Sequence, residues 1–232
     1  MVFPKLFADT SDLNELKSLL GLGIFSGITT NPLIVAREAG KANPSTYYEK
    51  IAVSFPNIPV SISLLDEPIE ILIKHAEEYA SIAPNVVVKV PMFENGKALI
   101  IIRELVTRGI KVNCTALMKK EQTLLTLLAG KTDKSPGPSY ISLFFGRIKD
   151  FGSNPINEIK RSRDMIDKIC PNTEIITGSI RDGSAVFEAI DAGAHIVTVP
   201  PKIIWEMIKH PKSSEFIKQS QTEWENYLKS RK

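Results

Sequence analysis

The chain alternates short apolar, β-branched segments with amphipathic helical patterns, and about eight such pairs follow one another. Strands that alternate with helices form parallel sheets. Eight strand–helix units within 232 residues predict an α/β fold, namely a single (β/α)8 TIM barrel. The candidate strands are Lys5–Ala8, Ser26–Thr30, Pro59–Leu64, Val86–Val90, Lys111–Thr115, Tyr140–Phe144, Glu174–Thr177 and Ile196–Val199.

The alternative for such a pattern is an open, doubly wound sheet, which often carries a glycine-rich turn after its first strand. Here the first strand runs into Asp9, Thr10 and Ser11 instead, which favours the barrel. No linker divides the chain, so residues 1–232 are expected to form one barrel domain with an extra C-terminal helix at about 213–229. The turn-rich segment Lys131–Ser139 is predicted to be a surface loop.

Composition narrows the class of protein further. The 29 Lys and Arg residues nearly balance the 26 Asp and Glu residues and are scattered, so no nucleic-acid partner is expected. Two cysteines, Cys114 and Cys170, and three histidines give no metal-ligand spacing or disulfide framework. The first residues lack the apolar core of a signal peptide, and no apolar run is long enough to span a membrane. We therefore expect a cytoplasmic protein with no membrane partner.

One lysine interrupts a strand that otherwise suits burial. The segment from Val86 to Met92 reads VVVKVPM and places Lys89 among valines. Burial removes water from the ammonium group, which lowers its pKa and frees an amine that can form a Schiff base with a ketone. The alternative is a lysine that extends to the barrel mouth or pairs with Asp9. The segment alone leaves both interpretations open.

Polar side chains recur at the carboxyl ends of the predicted strands. In barrel enzymes the active site lies at this end. A purely structural barrel does not need such a set, although capping residues can produce part of it by chance. The polar candidates are Asp9, Thr29, Asn31, Ser61, Ser63, Lys89, Asn113, Thr115, Ser142, Arg147, Ser179 and Arg181, and Phe144 ends the sixth strand beside them.

Several longer segments, in order along nearly the whole chain, resemble one enzyme family. They read ADTSDLNELKSLLGLGIFSGITTNP, VVVKVPM, GIKVNCTAL, SYISLFFGRIKDFG and ITGSIRDGSAVFEAIDAGAHIVTVP. They and their spacing are similar to the small transaldolases and to their relatives, the fructose-6-phosphate aldolases. SGITTNP, the lysine of VKVP and FFGRIKD are specific in combination, whereas each alone is a weak signal.

The resemblance implies a (β/α)8 barrel that uses no metal and no cofactor. It implies a Schiff base on Lys89, general acid–base catalysis by Asp9 and a catalytic water positioned by Thr115. It also implies sugar-phosphate substrates of the pentose phosphate pathway and a homo-oligomeric ring, with a decamer as the candidate, in which the C-terminal helix reaches a neighbour. The residues expected to hold substrate are Thr29, Asn31, Asn113, Ser142 and Phe144 around the sugar, and Arg147, Ser179 and Arg181 at the phosphate.

Three features resemble the transaldolase branch rather than the aldolase branch. Phe144 stands where the aldolases have tyrosine, Arg181 stands where they have lysine, and the fifth strand carries Asn113 in an NCT segment. The resemblance therefore predicts transfer of a dihydroxyacetone unit between sugar phosphates. Two alternatives stay open: an aldolase that releases free dihydroxyacetone, and a non-catalytic relative that binds sugar phosphates.

One residue departs from both branches. Near the end of the third strand the transaldolases have glutamate and the aldolases glutamine, whereas this chain has Ser63. In the family this side chain helps to hold the water that relays protons, and serine cannot act as a base at neutral pH. Asp66 or Glu67 in the following loop is a candidate replacement. General acid–base help is worth about 10²–10⁴-fold in rate, so the substitution bears directly on activity.

Overall fold

The computed structural model describes residues 4–38, 43–133 and 135–231. Within these ranges ten β-strands are present, and eight of them form one sheet that closes on itself. The strands are β1 (Lys5–Asp9), β2 (Phe25–Thr29), β3 (Val60–Ser63), β4 (Val86–Pro91), β5 (Val112–Leu117), β6 (Lys131–Thr132), β7 (Ser135–Pro136), β8 (Tyr140–Phe144), β9 (Glu174–Gly178) and β10 (Ile196–Val199).

The closed sheet confirms the predicted (β/α)8 barrel and excludes the open sheet. Its strand order is β1-β10-β9-β8-β5-β4-β3-β2, and all neighbouring pairs are parallel. The eight barrel strands match the predicted ones to within two residues at each end. Their sequences are rich in Val and Ile because both faces of a parallel barrel strand are covered, one by the barrel interior and one by helices.

Helices connect the barrel strands and cover the outside of the barrel. Three of them, α2, α3 and α7, were not anticipated from the sequence. Two of these, α2 and α7, have only seven and six residues, too few to show a helical period clearly. The helices of the described residues are α1 (Leu13–Leu20), α2 (Pro32–Glu38), α3 (Pro44–Ser54), α4 (Ile69–Ile82), α5 (Lys97–Thr107), α6 (Lys120–Gly130), α7 (Phe145–Asp150), α8 (Pro155–Ile169), α9 (Gly183–Asp191), α10 (Pro201–Ile208) and α11 (Pro211–Ser230).

The lower part of the barrel interior is filled by apolar side chains. Phe7, Ile176 and Ile196 form one buried cluster with Tyr140 packed against it, and the Phe7 and Tyr140 rings meet edge to face. Gly27 makes room for this cluster, since a Cβ atom there would lie 2.4 Å from the Phe7 ring. Side chains alternate along each strand, so the next inward positions include Asp9, Thr29 and Lys89, one layer closer to the carboxyl ends.

Within the segment Lys131–Ser139, expected to be a surface loop, the described residues include a small antiparallel strand pair. Strands β6 and β7 pair outside the barrel sheet, and Ser135 is buried. Thr173 Oγ1 donates to the carbonyl of Pro138 at 2.7 Å, which fixes the segment beside the start of β9. Because the start of a barrel strand is the end away from the usual site, this segment does not border the carboxyl-end cavity.

None of the residues of the last helix, α11, is buried. It begins two residues before and ends one residue after the predicted helix. Its large apolar side chains are 47–70% exposed, namely Phe216, Ile217, Trp224, Tyr227 and Leu228. The barrel of the same chain therefore does not cover this apolar stripe. Across the described residues, no helix combines the length and apolarity needed to cross a membrane.

Candidate active site

A polar cavity of about 170 Å³ opens at the carboxyl ends of the barrel strands. Most strands contribute to its wall, as expected for a barrel with a functional site at this end. Nine of the eleven predicted catalytic and substrate-binding residues are among its lining residues. The lining residues are Asp9, Thr29, Thr30, Asn31, Lys89, Thr115, Ser142, Phe144, Arg147, Gly178, Ser179 and Thr198.

Lys89 lies in β4 at the inner end of this cavity and is 9% exposed. Its Nζ donates to the backbone carbonyl of Thr30 at 3.0 Å. Burial lowers the pKa of Lys89, while the negative charge of Asp9 acts in the opposite direction. Among the described residues no carboxylate forms an ion pair with Lys89. The lysine is therefore held inside the barrel rather than extended to its mouth.

Asp9, at the end of β1, faces the same cavity. Burial raises the pKa of Asp9, and the positive charge of Lys89 and the hydrogen bond from Thr29 partly offset this effect. Thr29 Oγ1 donates to Asp9 Oδ1 at 2.9 Å, and the same hydroxyl lies 2.5 Å from Thr198 Oγ1. Environments that move the pKa values of an amine and a carboxyl toward neutrality are typical of groups that exchange protons with a substrate.

Strand β5 contributes two polar side chains with different surroundings. Asn113 is fully buried and does not line the cavity; its Oδ1 accepts from Ser142 Oγ at 2.8 Å, and its Nδ2 donates to Ser61 Oγ at 3.4 Å. Thr115 lines the cavity, and its buried Oγ1 has no hydrogen-bond partner among the described residues. Buried hydroxyls normally have a partner, so Thr115 Oγ1 is available to a bound molecule or water.

Cys114, between these two residues, points the other way and contacts the outer helices. It is fully buried and accepts from Thr126 Oγ1 at 3.3 Å. Burial raises the pKa of the Cys114 thiol to about 12, so the thiolate is not formed at neutral pH. Cys114 is therefore a packing residue.

The two arginines predicted at the phosphate lie in different environments. Arg147, on α7, lines the cavity. Arg181 does not line the cavity. It forms a bidentate ion pair with Asp150, in which Nη1 lies 2.6 Å from Oδ1 and Nη2 contacts Oδ2. The Ser179 carbonyl accepts from the Gly146 backbone N–H at 3.1 Å, so the loop after β9 is joined to the start of α7. A Cβ at Gly146 would lie 2.6 Å from that carbonyl oxygen and 2.7 Å from Arg181 Nε.

Neither candidate replacement for the glutamate or glutamine of the family reaches the cavity. Asp66 pairs with Lys97, and Glu67 pairs with His75 Nδ1 at 2.9 Å. Ser63 is in register with Lys89 on the neighbouring strand, and its Oγ donates to the carbonyl of Leu64 at 3.2 Å. Neither Asp66 nor Glu67 is among the residues that line the cavity, so the suggestion that one of them supplies the missing group is wrong for this arrangement.

Three lining residues were given no role from the sequence: Thr30, which ends the predicted second strand, Gly178 and Thr198. Thr198 left a signal, since it is the one polar residue in the strand Ile196–Val199.

Among the described residues, no group of three or more His, Cys, Asp or Glu side chains is placed to hold a metal ion. The fold and the cavity define a parallel eight-stranded barrel that holds an amine and a carboxyl together at its carboxyl end.

Comparison with known proteins specifies the family. A family model described as Transaldolase/Fructose-6-phosphate aldolase matches residues 6–231. A probable transaldolase of Pelotomaculum thermopropionicum is 37% identical over 221 residues, which are 95% of this chain and 97% of the relative. A probable transaldolase of Clostridium acetobutylicum is 36% identical over 220 residues, again covering 95% and 97% of the two chains. The chain therefore belongs to the transaldolase/fructose-6-phosphate aldolase family.

A solved structure supports the fold independently. It is described as "Native KDPGal structure" and aligns with a TM-score of 0.58 over 86% of this chain and 83% of that chain. The two sequences are 13% identical, so the likeness concerns the barrel alone.

Proposed function

We propose that the protein is a transaldolase that moves a dihydroxyacetone unit from a ketose phosphate to an aldose phosphate through a Schiff base on Lys89. The observation that carries this proposal is the burial of Lys89 in a cavity that also holds Asp9. Burial lowers the pKa of Lys89 and raises that of Asp9. An unprotonated amine and a carboxyl that both gives and accepts protons are the two groups that imine chemistry requires.

The reaction begins when the neutral amine of Lys89 adds to C2 of the ketose. Loss of water gives an imine, which takes up a proton from solvent; the protonated imine then withdraws electrons from the C3–C4 bond. The ionised carboxylate of Asp9 takes the proton of the C4 hydroxyl, the bond breaks, and an aldose phosphate leaves. The electron pair of the bond remains on the three-carbon unit as an enamine on Lys89. An acceptor aldose then takes up this unit by the reverse steps.

The remaining polar groups have binding roles in this proposal. Asn31 and Thr115 line the cavity that holds Lys89, and Ser142 lines it while donating to the buried Asn113. Arg147 and Ser179 also line the cavity, where an arginine fork suits a sugar phosphate. Arg181 would join them by leaving Asp150, a contact between exposed groups that costs little to break.

Phe144 favours transfer over simple aldol cleavage. It lines the cavity with a ring that carries no hydroxyl, whereas the aldolase branch has tyrosine at this position. An enamine must not be protonated before the acceptor arrives, so an apolar ring in the wall protects the intermediate. On this basis we place the reaction in the pentose phosphate pathway, with sugar phosphates as substrates.

The proposal includes assembly of several copies. Helix α11 exposes an apolar stripe that its own barrel does not cover. Exposed apolar surface of this kind is typical of a protein–protein interface. We propose that α11 packs on a neighbouring copy in a homo-oligomer.

A two-product assay tests the function. The protein is incubated with fructose 6-phosphate, with and without erythrose 4-phosphate as acceptor, and the new ketose phosphate and free dihydroxyacetone are measured. The proposal expects a seven-carbon ketose phosphate that requires the acceptor, and none with Lys89→Arg. Acceptor-independent free dihydroxyacetone would identify an aldolase instead, and binding of the sugar phosphate without either product would identify a non-catalytic relative.

A further inference from the structure

Thr198 lies in the cavity wall and is held in one orientation. Its Oγ1 lies 2.5 Å from Thr29 Oγ1, so the contact joins β10 to β2, the two strands on either side of β1. Its methyl group packs at Gly178, where an added Cβ atom would come within 3.2 Å of Cγ2. The absence of a side chain at Gly178 thus makes room for the methyl group, and the Thr198 hydroxyl is directed at Thr29.

The direction of the hydrogen bonds follows from the number of available protons. Each threonine hydroxyl has one hydrogen to donate, and an ionised carboxylate only accepts. The Thr29 hydrogen is used on Asp9 Oδ1 at 2.9 Å. In the contact between the two threonines, Thr198 must therefore be the donor while Asp9 is ionised. The result is a chain of hydrogen bonds from Thr198 to Thr29 to Asp9.

We propose that Thr198 is a positioning residue for Asp9, acting through the hydroxyl of Thr29. The inference rests on the proposed function, in which Asp9 takes the proton of the substrate. A hydroxyl that accepts one hydrogen bond becomes a stronger donor in the next, so Thr198 strengthens the bond from Thr29 to Asp9. It also prevents the Thr29 hydroxyl from rotating away. With Oδ1 held in this way, the carboxyl of Asp9 keeps one position in the cavity wall.

The charged groups around Asp9 are few. Lys89 from β4 and Arg147 from α7 share the cavity with it. The strands that flank β1, which are β2 and β10, contain no ionisable side chain. A change at Thr198 therefore leaves every charge around Asp9 in place, and only the hydrogen-bond chain is altered.

Three variants isolate the hydroxyl. Thr198→Val keeps the shape and removes the donor, and Thr198→Ser keeps the donor. Thr177→Val is the matched control, because Thr177 is a buried threonine of the neighbouring strand β9 that does not line the cavity. The three proteins and the wild type are compared in their full-length form.

The first readout needs no turnover. The protonated Asp9 carboxyl is followed by infrared difference spectroscopy against pH, with the band identified by its loss in Asp9→Asn. We expect the pKa of Asp9 to rise in Thr198→Val, since the hydrogen bond from Thr29 lowers it in the wild type. Thr198→Ser and Thr177→Val should retain the wild-type titration. An unchanged titration in Thr198→Val, or an equal change in Thr177→Val, overturns the inference.

The second readout is the pH dependence of transfer. On the acidic side, kcat of Thr198→Val should fall about tenfold with KM unchanged, because the hydrogen bond from Thr29 to the proton-accepting Asp9 loses the support of the Thr198 hydroxyl. The fall of kcat at acidic pH should occur at a higher pH in Thr198→Val than in the wild type. In Thr198→Ser it should occur at the wild-type pH. A loss of kcat that is equal at every pH would indicate a structural role only and would overturn the inference. Failure of the proposed function would be seen separately. The Asp9 carboxyl of the wild type would then titrate, but the protein would form no borohydride-reducible adduct with fructose 6-phosphate.

Discussion

Lys89 lies between valines in β4, and among the described residues its amine donates one hydrogen bond, to the carbonyl of Thr30. A buried lysine without an ion pair is costly, so such a residue is usually retained for its chemistry. The sequence allowed this interpretation but could not separate it from a lysine at the barrel mouth. The difference depends on Asp9 and Thr30, which approach Lys89 only after the barrel has closed.

The charge of Asp9 should be measurable in the reactivity of Lys89. Asp9 raises the pKa of Lys89, whereas burial lowers it. Only the neutral amine forms an imine, so imine formation increases as pH rises through the lysine pKa. In Asp9→Asn the opposing charge is gone, and the apparent pKa for adduct formation should move to lower pH. The rate of cyanoborohydride trapping against pH measures this; a shift to higher pH would contradict the charge coupling.

The same variant separates imine formation from bond cleavage. Asp9→Asn removes the base for the C4 hydroxyl, so cleavage should fall by about 10²–10⁴-fold while the imine still forms. Reduction in the presence of fructose 6-phosphate should then leave a six-carbon adduct in place of a three-carbon adduct. Mass spectrometry of the intact protein distinguishes them. A three-carbon adduct at the wild-type rate would assign the proton transfer to another group.

The hydroxyl groups of Ser63 and Thr115 differ in their hydrogen bonding. Ser63 Oγ is bonded to the carbonyl of Leu64, whereas Thr115 Oγ1 has no partner among the described residues. We expect Ser63→Ala to keep kcat near the wild-type value and Thr115→Val to lower it about tenfold or more. Steady-state kinetics of the two variants tests this. A larger loss in Ser63→Ala would show that the serine takes part in proton relay.

At the scale of elements, the strands were readable from the sequence and some connections were not. Val and Ile runs mark barrel strands because both faces are buried, and each strand was found to within two residues. The short helices α2 and α7 were missed because six or seven residues do not define a period. Contacts between distant segments were also out of reach: Thr29 and Thr198 are 169 positions apart, and the pairing of Arg181 with Asp150 depends on exposed side chains.

The packing of β1 on β2 gives a stability prediction. In Gly27→Ala the new methyl group would lie 2.4 Å from the Phe7 ring, which is itself buried on all sides. Overpacking of this kind should lower the free energy of unfolding by about 1–3 kcal/mol. Urea denaturation measures the loss, and Gly27→Ala combined with Phe7→Leu should cost less than the sum of the two single changes. Additive costs would mean that the two side chains do not meet.

At the scale of the whole molecule, the feature that the single chain does not explain is α11. A helix with large apolar side chains and no buried residue gains little from its own barrel. The sequence showed the apolar stripe but not whether the barrel covered it. The covering surface of another copy is the simplest way to remove such a stripe from water.

Removal of α11 should therefore change assembly more than folding. Truncation after Lys209 should leave the circular dichroism of the barrel intact and lower the molar mass measured by sedimentation. Trp224→Glu should act in the same direction, while Gln219→Glu serves as the control on the same helix. An unchanged mass in the truncated protein would exclude α11 from the interface, and a monomeric wild type would exclude the assembly.

The most direct test of the central claim is borohydride trapping with fructose 6-phosphate, followed by peptide mass spectrometry of the wild type and of Lys89→Arg. We expect a reduced three-carbon adduct on Lys89 in the wild type and no adduct in the variant. This result would establish the covalent intermediate and show that cleavage proceeds with Ser63 in place of the glutamate. A folded wild type that binds the sugar phosphate but carries no adduct on Lys89 would contradict the claim.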